Sequence, residues 1–230
     1  FFASLEMIKI IGDQSNVSGV NHSILHGYNY SPARSEFPGW IQFGTYFSER
    51  NTWWPFFKNW TMYKARISYL FQTANSRSDI ALFHPLADKW SKYGAQFQPA
   101  FGWGERYPWY EYDLWYSIHQ NGNTCDYISE KIIIDSEIKD GELVYNKQAY
   151  QTLILMEVES IKPETAMMLF KFAEAGGKLI FIKNAPHKSP GLKNHKENDV
   201  VVNQEIKRII RNFPSTCKVV EAPEKDLLTW

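Results

Sequence analysis

The chain has 230 residues, with 25 Lys and Arg against 25 Asp and Glu, and a sequence pI near 7.2. A chain of this length supports one large or two modest hydrophobic cores. Charge balance without a basic cluster gives no electrostatic footing for nucleic acid. The longest apolar runs, such as Lys178-Leu179-Ile180-Phe181-Ile182, fall far short of a bilayer span.

Phe1 is preceded by no initiator Met and opens no signal-peptide pattern, so the segment reads as excised from a longer chain. Its first residues therefore carry no information about the parent's compartment. Cys125 and Cys217 are expected to be buried free thiols rather than a disulfide, because a domain of this size needs no staple. Neither has a Cys or His at metal-site spacing, so no zinc site is expected and no metal ligand is assigned.

In chain order, the pattern predicts a helix over about Leu5 to Ser18 and a short strand over about Asn21 to His26. A long loop follows, then a second helix over about Trp54 to Thr73, with Tyr63, Ile67, Leu70 and Phe71 as its buried stripe. Asn75-Ser76-Arg77-Ser78 is a polar break where a new domain can begin. From Asp79 onward strands and helices alternate. Asp79 to Phe83 and Thr124 to Ile128 read as strands, and Gln151 to Leu155 as a strand buried on both faces. Pro163 opens a helix that Gly176-Gly177 ends, and Lys178 to Ile182 is the next strand. Asn203 to Asn212 is an amphipathic helix, and Cys217 to Val220 a closing strand. This alternation predicts an α/β fold, an open parallel sheet with helices on both faces.

Aromatic residues are unevenly spread: eight of the nine Trp lie before residue 116. The loop from Gly19 to Trp54 mixes His, Tyr and Trp with Asn, Arg and Glu. Flat rings beside amides, hydroxyls and carboxylates suit a ligand with both C–H faces and hydroxyls, and carbohydrate fits best.

The pieces Gly19-Val20-Asn21-His22, His26-Gly27-Tyr28-Asn29-Tyr30-Ser31-Pro32, Pro38-Gly39-Trp40, Asn51-Thr52-Trp53-Trp54 and Tyr63 to Leu70 occur in a definite order. That ordered set resembles glycoside hydrolase family 106, the α-L-rhamnosidases. The resemblance implies that residues 1–78 are the last strand and helix of a (β/α)8 catalytic barrel. It implies that residues 79–230 are a glutamine-amidotransferase-like, flavodoxin-like α/β domain. It further implies a carbohydrate substrate from plant-type polysaccharides or glycosides, the remainder of the parent chain as partner, and a periplasmic or secreted location. Calcium is implied for the intact parent, with no cofactor assigned to this segment. A barrel needs eight strands, and one is expected here, so no acid–base pair of an inverting hydrolase is assigned. Two alternatives stand beside this reading: a non-catalytic carbohydrate-binding or assembly module, and a β-galactosidase-like enzyme of another family.

Under the resemblance His26 ends the last barrel strand, at the catalytic mouth, and is the first candidate for a substrate contact. His22 lies deeper on the same strand face and is expected to be structural. Tyr28 and Tyr30 are candidates for stacking on or bonding a sugar. Trp40, Trp53 and Trp54 are candidates for a sugar platform, although a Trp pair at a helix start also packs against a neighbouring helix. Asn51 or Thr52 is expected to cap that helix. Glu36 is the candidate for catalysis or calcium binding, against the plainer reading of a solvated loop acid. In the second half, Cys125 lacks a nucleophile elbow, and neither His84 nor His119 has partner spacing for a Cys–His pair, so amidotransferase activity is not expected. Gly176-Gly177 follows a helix and precedes a strand, the reverse of a nucleotide-binding turn. The cluster Trp103, Trp109, Tyr110, Tyr112, Trp115 and Tyr116 is the rival sugar surface, with an aromatic lid between the domains as its packing alternative.

Overall fold

The structure is a computed structural model and describes residues 3–40, 44–93 and 111–221. Trp103, Trp109 and Tyr110 of the rival aromatic cluster lie outside the described residues. The chain divides into two compact units, Phe1–Ser76 and Arg77–Trp230, and the division falls inside the polar Asn75–Ser78 run. Among the described residues no helix is long and apolar enough to cross a membrane.

In the first unit, α1 spans Leu5–Val17 and is opened by Ser4, whose hydroxyl accepts from the Met7 amide at 3.2 Å. A 3₁₀ turn at Trp54–Phe56 leads into α2, Phe57–Thr73. Asn51 does not cap α2: its Oδ1 accepts from the Trp53 amide at 3.4 Å, bracing the turn ahead of it. A small core joins Ile8, Phe47 and Trp60, with Leu5, Trp53, Trp54 and Phe57 packed around it.

Two expectations fail here. The buried positions of α2 are Trp60 and Lys64, whereas Leu70 and Phe71 are 55% and 44% exposed. The helix turns a cation inward because α1 supplies oxygens for it: Lys64 Nζ donates to Asn16 Oδ1 at 2.7 Å and to the Gly12 carbonyl at 3.4 Å. Beside it, the Tyr63 hydroxyl donates to Asp13 at 2.8 Å. Residues 21–26 form no strand, and Ile24 is 90% exposed. A strand exists by pairing, and among the described residues this unit offers only a single bridge, Tyr28 with Phe47. His22, expected to lie deeper, is exposed for the same reason.

The second unit is built on five parallel strands: β1 Ile80–Phe83, β2 Cys125–Ile128, β6 Thr152–Met156, β7 Lys178–Ile182 and β8 Cys217–Val220. Their order is β2-β1-β6-β7-β8, the sequence in which flavodoxin-like sheets are wound. Successive side chains alternate between two apolar layers. Ala81, Phe83, Leu153, Leu155, Leu179 and Phe181 face α5 (Glu130–Asp135), α6 (Pro163–Glu174) and α7 (His195–Asn212). Leu82, Ile154, Met156, Ile180 and Ile182 face Leu114 of α4 (Glu111–Gln120). The parallel sheet with helices on both faces is thus as expected, and both cysteines are buried and free.

Several elements go beyond the sequence reading. An antiparallel meander, β3 Glu137–Lys139, β4 Glu142–Tyr145 and β5 Gln148–Tyr150, turns at Asp140-Gly141 and at Asn146, all with positive φ. It delivers Leu143 and Tyr150 to the main core. Helix α7 begins at His195, well before Asn203, because Val202, Ile206 and Ile209 continue one buried stripe. Helix α3, Leu86–Tyr93, follows β1. The first turn of α6 is closed from outside: Glu130 Oε1 accepts from the Lys162 amide at 2.6 Å and from the Thr165 hydroxyl at 2.9 Å.

Gly176, at φ 97°, ends α6, and Gly177 is buried where a Cβ would overlap the ring of the fully buried Phe172. Replacing Gly177 with Ala is therefore expected to destabilise this unit by about 1–3 kcal/mol, the usual cost of overpacking. The denaturant midpoint of the variant chain, compared with that of the unsubstituted chain, checks it.

Candidate functional site

The loop that carries the predicted site residues is held by polar side chains more than by a core. The Asn29 amide donates to the Phe47 carbonyl at 2.8 Å, and Asn29 Oδ1 accepts from the Phe47 amide at 3.0 Å. Arg50 spreads its guanidinium over the turn 32–35, donating to the Pro32 carbonyl at 3.0 Å and to the Ser35 carbonyl and hydroxyl at 3.0 and 2.9 Å. Asn51 Nδ2 donates to the Tyr46 carbonyl at 3.0 Å. Tyr46, Phe47 and Ser48 are consequently buried, and the side chains around them sit on a fixed floor.

On that floor the structure brings together Tyr28, Glu49 and Trp54. The Tyr28 hydroxyl donates to Glu49 Oε2, and the Tyr28 ring meets Trp54 edge to face at 6.1 Å between centroids. The phenol's hydrogen bond holds the Glu49 carboxyl below the usual carboxylate range, and the carboxylate in turn pushes the Tyr28 phenol up. Trp54 stacks on Phe57 at 5.1 Å and 14°. Trp53 is spent on packing: it joins the small core, and its Nε1 donates to the Ala3 carbonyl at 3.0 Å.

The remaining predicted residues are not part of that group. His26 is exposed, with Nδ1 and its carbonyl oxygen close against Gly44. Tyr30 and Trp40 are exposed, and the Trp40 amide is tied to the Ser31 hydroxyl at 2.8 Å. Glu36 is exposed and has no hydrogen bond or ion pair among the described residues. Glu49 carries no signal in the sequence, because its place beside Tyr28 arises only when the two positions, 21 residues apart, are folded together. Among the described residues no three His, Cys, Asp or Glu side chains gather as a metal site. Calcium takes six to eight oxygen ligands, so these residues do not make up a calcium site by themselves.

In the second unit, the structure does bring Cys125 and His119 together, at 4.0 Å from Sγ to Nδ1, where sequence spacing had suggested no pair. The pair is nevertheless unsuited to nucleophilic chemistry. His119 Nδ1 lies 2.8 Å from the Trp115 carbonyl, which requires its proton there, and that nitrogen then has no lone pair for the thiol. Burial, together with Asp126, pushes the Cys125 thiol up to about 12. On α4, Tyr112 and Tyr116 stack at 5.8 Å and 17°, with Trp115 against Tyr112 at 6.4 Å.

The C-terminal edge of the sheet is where open α/β folds take ligands. There the Asp88 carboxylate of α3 accepts from the amides of Glu159 and Ser160 at 2.9 and 3.2 Å and from the Ser160 hydroxyl. Glu159 pairs with Lys188 at 2.6 Å, which holds its carboxyl below the usual range.

Comparison with known proteins agrees with the order of motifs. The chain is 29% identical over 205 residues to a Formosa agariphila protein named "Putative beta-glucuronidase", covering 88% of this chain and 15% of that protein. The structure is similar to a rhamnosidase from Novosphingobium sp. PP1Y, with a TM-score of 0.60 and 19% identity, covering 99% of this chain and 21% of that one. That likeness concerns the fold. The chain thus spans only a small fraction of either relative. The sequence model of the family described as alpha-L-rhamnosidase, glycoside hydrolase family 106, matches residues 1–223. With nearly its whole length matched, the chain belongs to glycoside hydrolase family 106.

Proposed function

We propose that the protein carrying this chain is a glycoside hydrolase that acts on α-L-rhamnosides of plant-type polysaccharides or glycosides. In this reading residues 1–78 supply one wall of the active site of a (β/α)8 barrel and its last helix, residues 21–26 becoming the last strand only where the remainder of the barrel pairs with them, and residues 79–230 supply a glutamine-amidotransferase-like scaffold. The observation that carries it is the family match over residues 1–223. The loop adds chemical support: Tyr28 meets the Glu49 carboxylate and stands edge-on to Trp54, and Tyr30, Trp40 and His26 of the same loop are exposed.

The surface of the first unit supports the barrel reading as well. Met7, Ile10 and Ile11 of α1 and Met62, Tyr69 and Leu70 of α2 are all exposed, as is Ile24 in the segment read as a barrel strand. Apolar surface of this extent needs a covering partner, and the remainder of a barrel would supply one. Calcium in the parent enzyme would take at least part of its ligand set from outside the described residues, because no three His, Cys, Asp or Glu side chains gather among them. A periplasmic or secreted location for the parent is part of the same proposal. The name of the Formosa relative favours a second reading, hydrolysis of β-glucuronides; aryl α-L-rhamnoside and aryl β-D-glucuronide assayed in parallel on the full-length protein decide between them.

The 230-residue chain by itself is expected to show little or no turnover of an aryl α-L-rhamnoside, since at most one of eight barrel strands is present. Turnover at rates typical of enzymes would overturn the assignment of residues 1–78. In the full-length protein, His26→Ala is expected to lower turnover roughly ten- to a hundred-fold, the equivalent of about 1.5–3 kcal/mol for a lost hydrogen bond that strengthens in the transition state. A packing role would instead lower the melting temperature and leave the specific activity of the folded fraction unchanged. Both quantities are read on the same variant.

A further inference from the structure

We propose that Tyr28 and Glu49 form the hydroxyl-accepting half of a subsite that takes a neutral sugar and disfavours a uronic acid. The proposal rests on the reading that this loop faces carbohydrate, and it adds a specificity-determining residue and a substrate class.

An ionised carboxylate is an acceptor only, with about four lone-pair positions. The Tyr28 phenol occupies one of these on Glu49 Oε2, and the side chain is otherwise exposed. The phenol oxygen keeps its own acceptor capacity because its proton is committed to Glu49. Two adjacent acceptors, one of them charged, match two neighbouring sugar hydroxyls, and hydrogen bonds to an ionised partner are the stronger kind. Trp54 stands edge-on to Tyr28 at 6.1 Å and is itself pinned by Phe57, so an aromatic wall borders the acceptors.

The same geometry works against an acidic sugar. Recognition of a carboxylate calls for a guanidinium fork presented to the ligand. Arg50, the next residue, has turned its fork inward, with Nη1 on Ser35 and Nη2 on Pro32 and Ala33. Its charge steadies the loop, and the group left facing outward is the anion. A uronate placed there would meet a like charge. The pair is also preorganised: Tyr28 bridges to Phe47, two residues from Glu49, and Asn29 locks that bridge by both donating to and accepting from Phe47.

The test uses the full-length protein, with 4-nitrophenyl α-L-rhamnoside as substrate and free D-glucose and D-glucuronate as inhibitors. Glu49→Gln keeps the side-chain shape and removes the charge. It is expected to raise KM about tenfold with kcat within about twofold, the split that marks lost ground-state binding. It is also expected to strengthen inhibition by glucuronate relative to glucose. Tyr28→Phe, which frees the carboxylate from its phenol, should raise KM while leaving the preference against glucuronate in place. An unchanged KM and an unchanged glucuronate-to-glucose ratio in both variants, with a lowered melting temperature, would make the pair a loop tether and overturn the proposal. A wild-type protein that hydrolyses no rhamnoside would instead overturn the functional reading on which the proposal stands. The two failures are thus read from different proteins.

Discussion

The second unit depends on the double burial of β6. From Leu153 to Met156 no side chain of this strand reaches solvent, odd positions facing one layer of helices and even positions the other. Strands sealed on both faces are characteristic of parallel sheets covered by helices on both sides, and here β1 and β7 are the parallel neighbours while α4 and the α5–α7 set are the covers. Substitutions elsewhere in the unit act by reaching this layer. Phe172 presses on the sheet from α6, and Gly177 is a glycine because that ring already fills the place of its Cβ.

The first unit is held by a different kind of force. Its apolar core is small, and its order comes from directional bonds: Arg50 on the 32–35 carbonyls, Asn29 across to Phe47, and Lys64 against α1. Such bonds each contribute about 0.5–1.5 kcal/mol net, but they fix angles where apolar packing does not. A loop that must hold a carboxylate and two aromatic rings in register gains more from fixed angles than from burial. The side chains that order this loop, Asn29, Arg50 and Asn51, are themselves polar.

That distinction also explains what was legible in the sequence. Leu153 to Leu155, Pro163 and Gly176-Gly177 act locally, through period, ring constraint and backbone freedom, so the sheet and α6 are readable from the chain alone. Asp140-Gly141 carried an equally local hairpin signal for the meander that the strand–helix pattern overshadowed. Residues 21–26 have the alternation of a strand in His22, Ile24 and His26, yet pairing is supplied by other parts of a fold and cannot be read from period. Lys64 on the inner face of α2 is invisible to hydrophobic patterning, since only the placement of Asn16 and the Gly12 carbonyl makes a buried cation tolerable there. The Tyr28–Glu49 pair, 21 residues apart, belongs with these non-local features.

The Asp88 carboxylate has a consequence for what the sheet edge can receive. Two successive amides and a hydroxyl converging on one point form a receptor for an anion, and here that receptor holds the protein's own side chain. An incoming phosphate or carboxylate would compete against a tethered rival whose effective concentration is set by the few residues between β1 and α3 rather than by solution. The winding that elsewhere opens a ligand crevice is in this unit latched by an internal counterpart, and the energy of an anion site is turned to fixing α3 against the loop after β6.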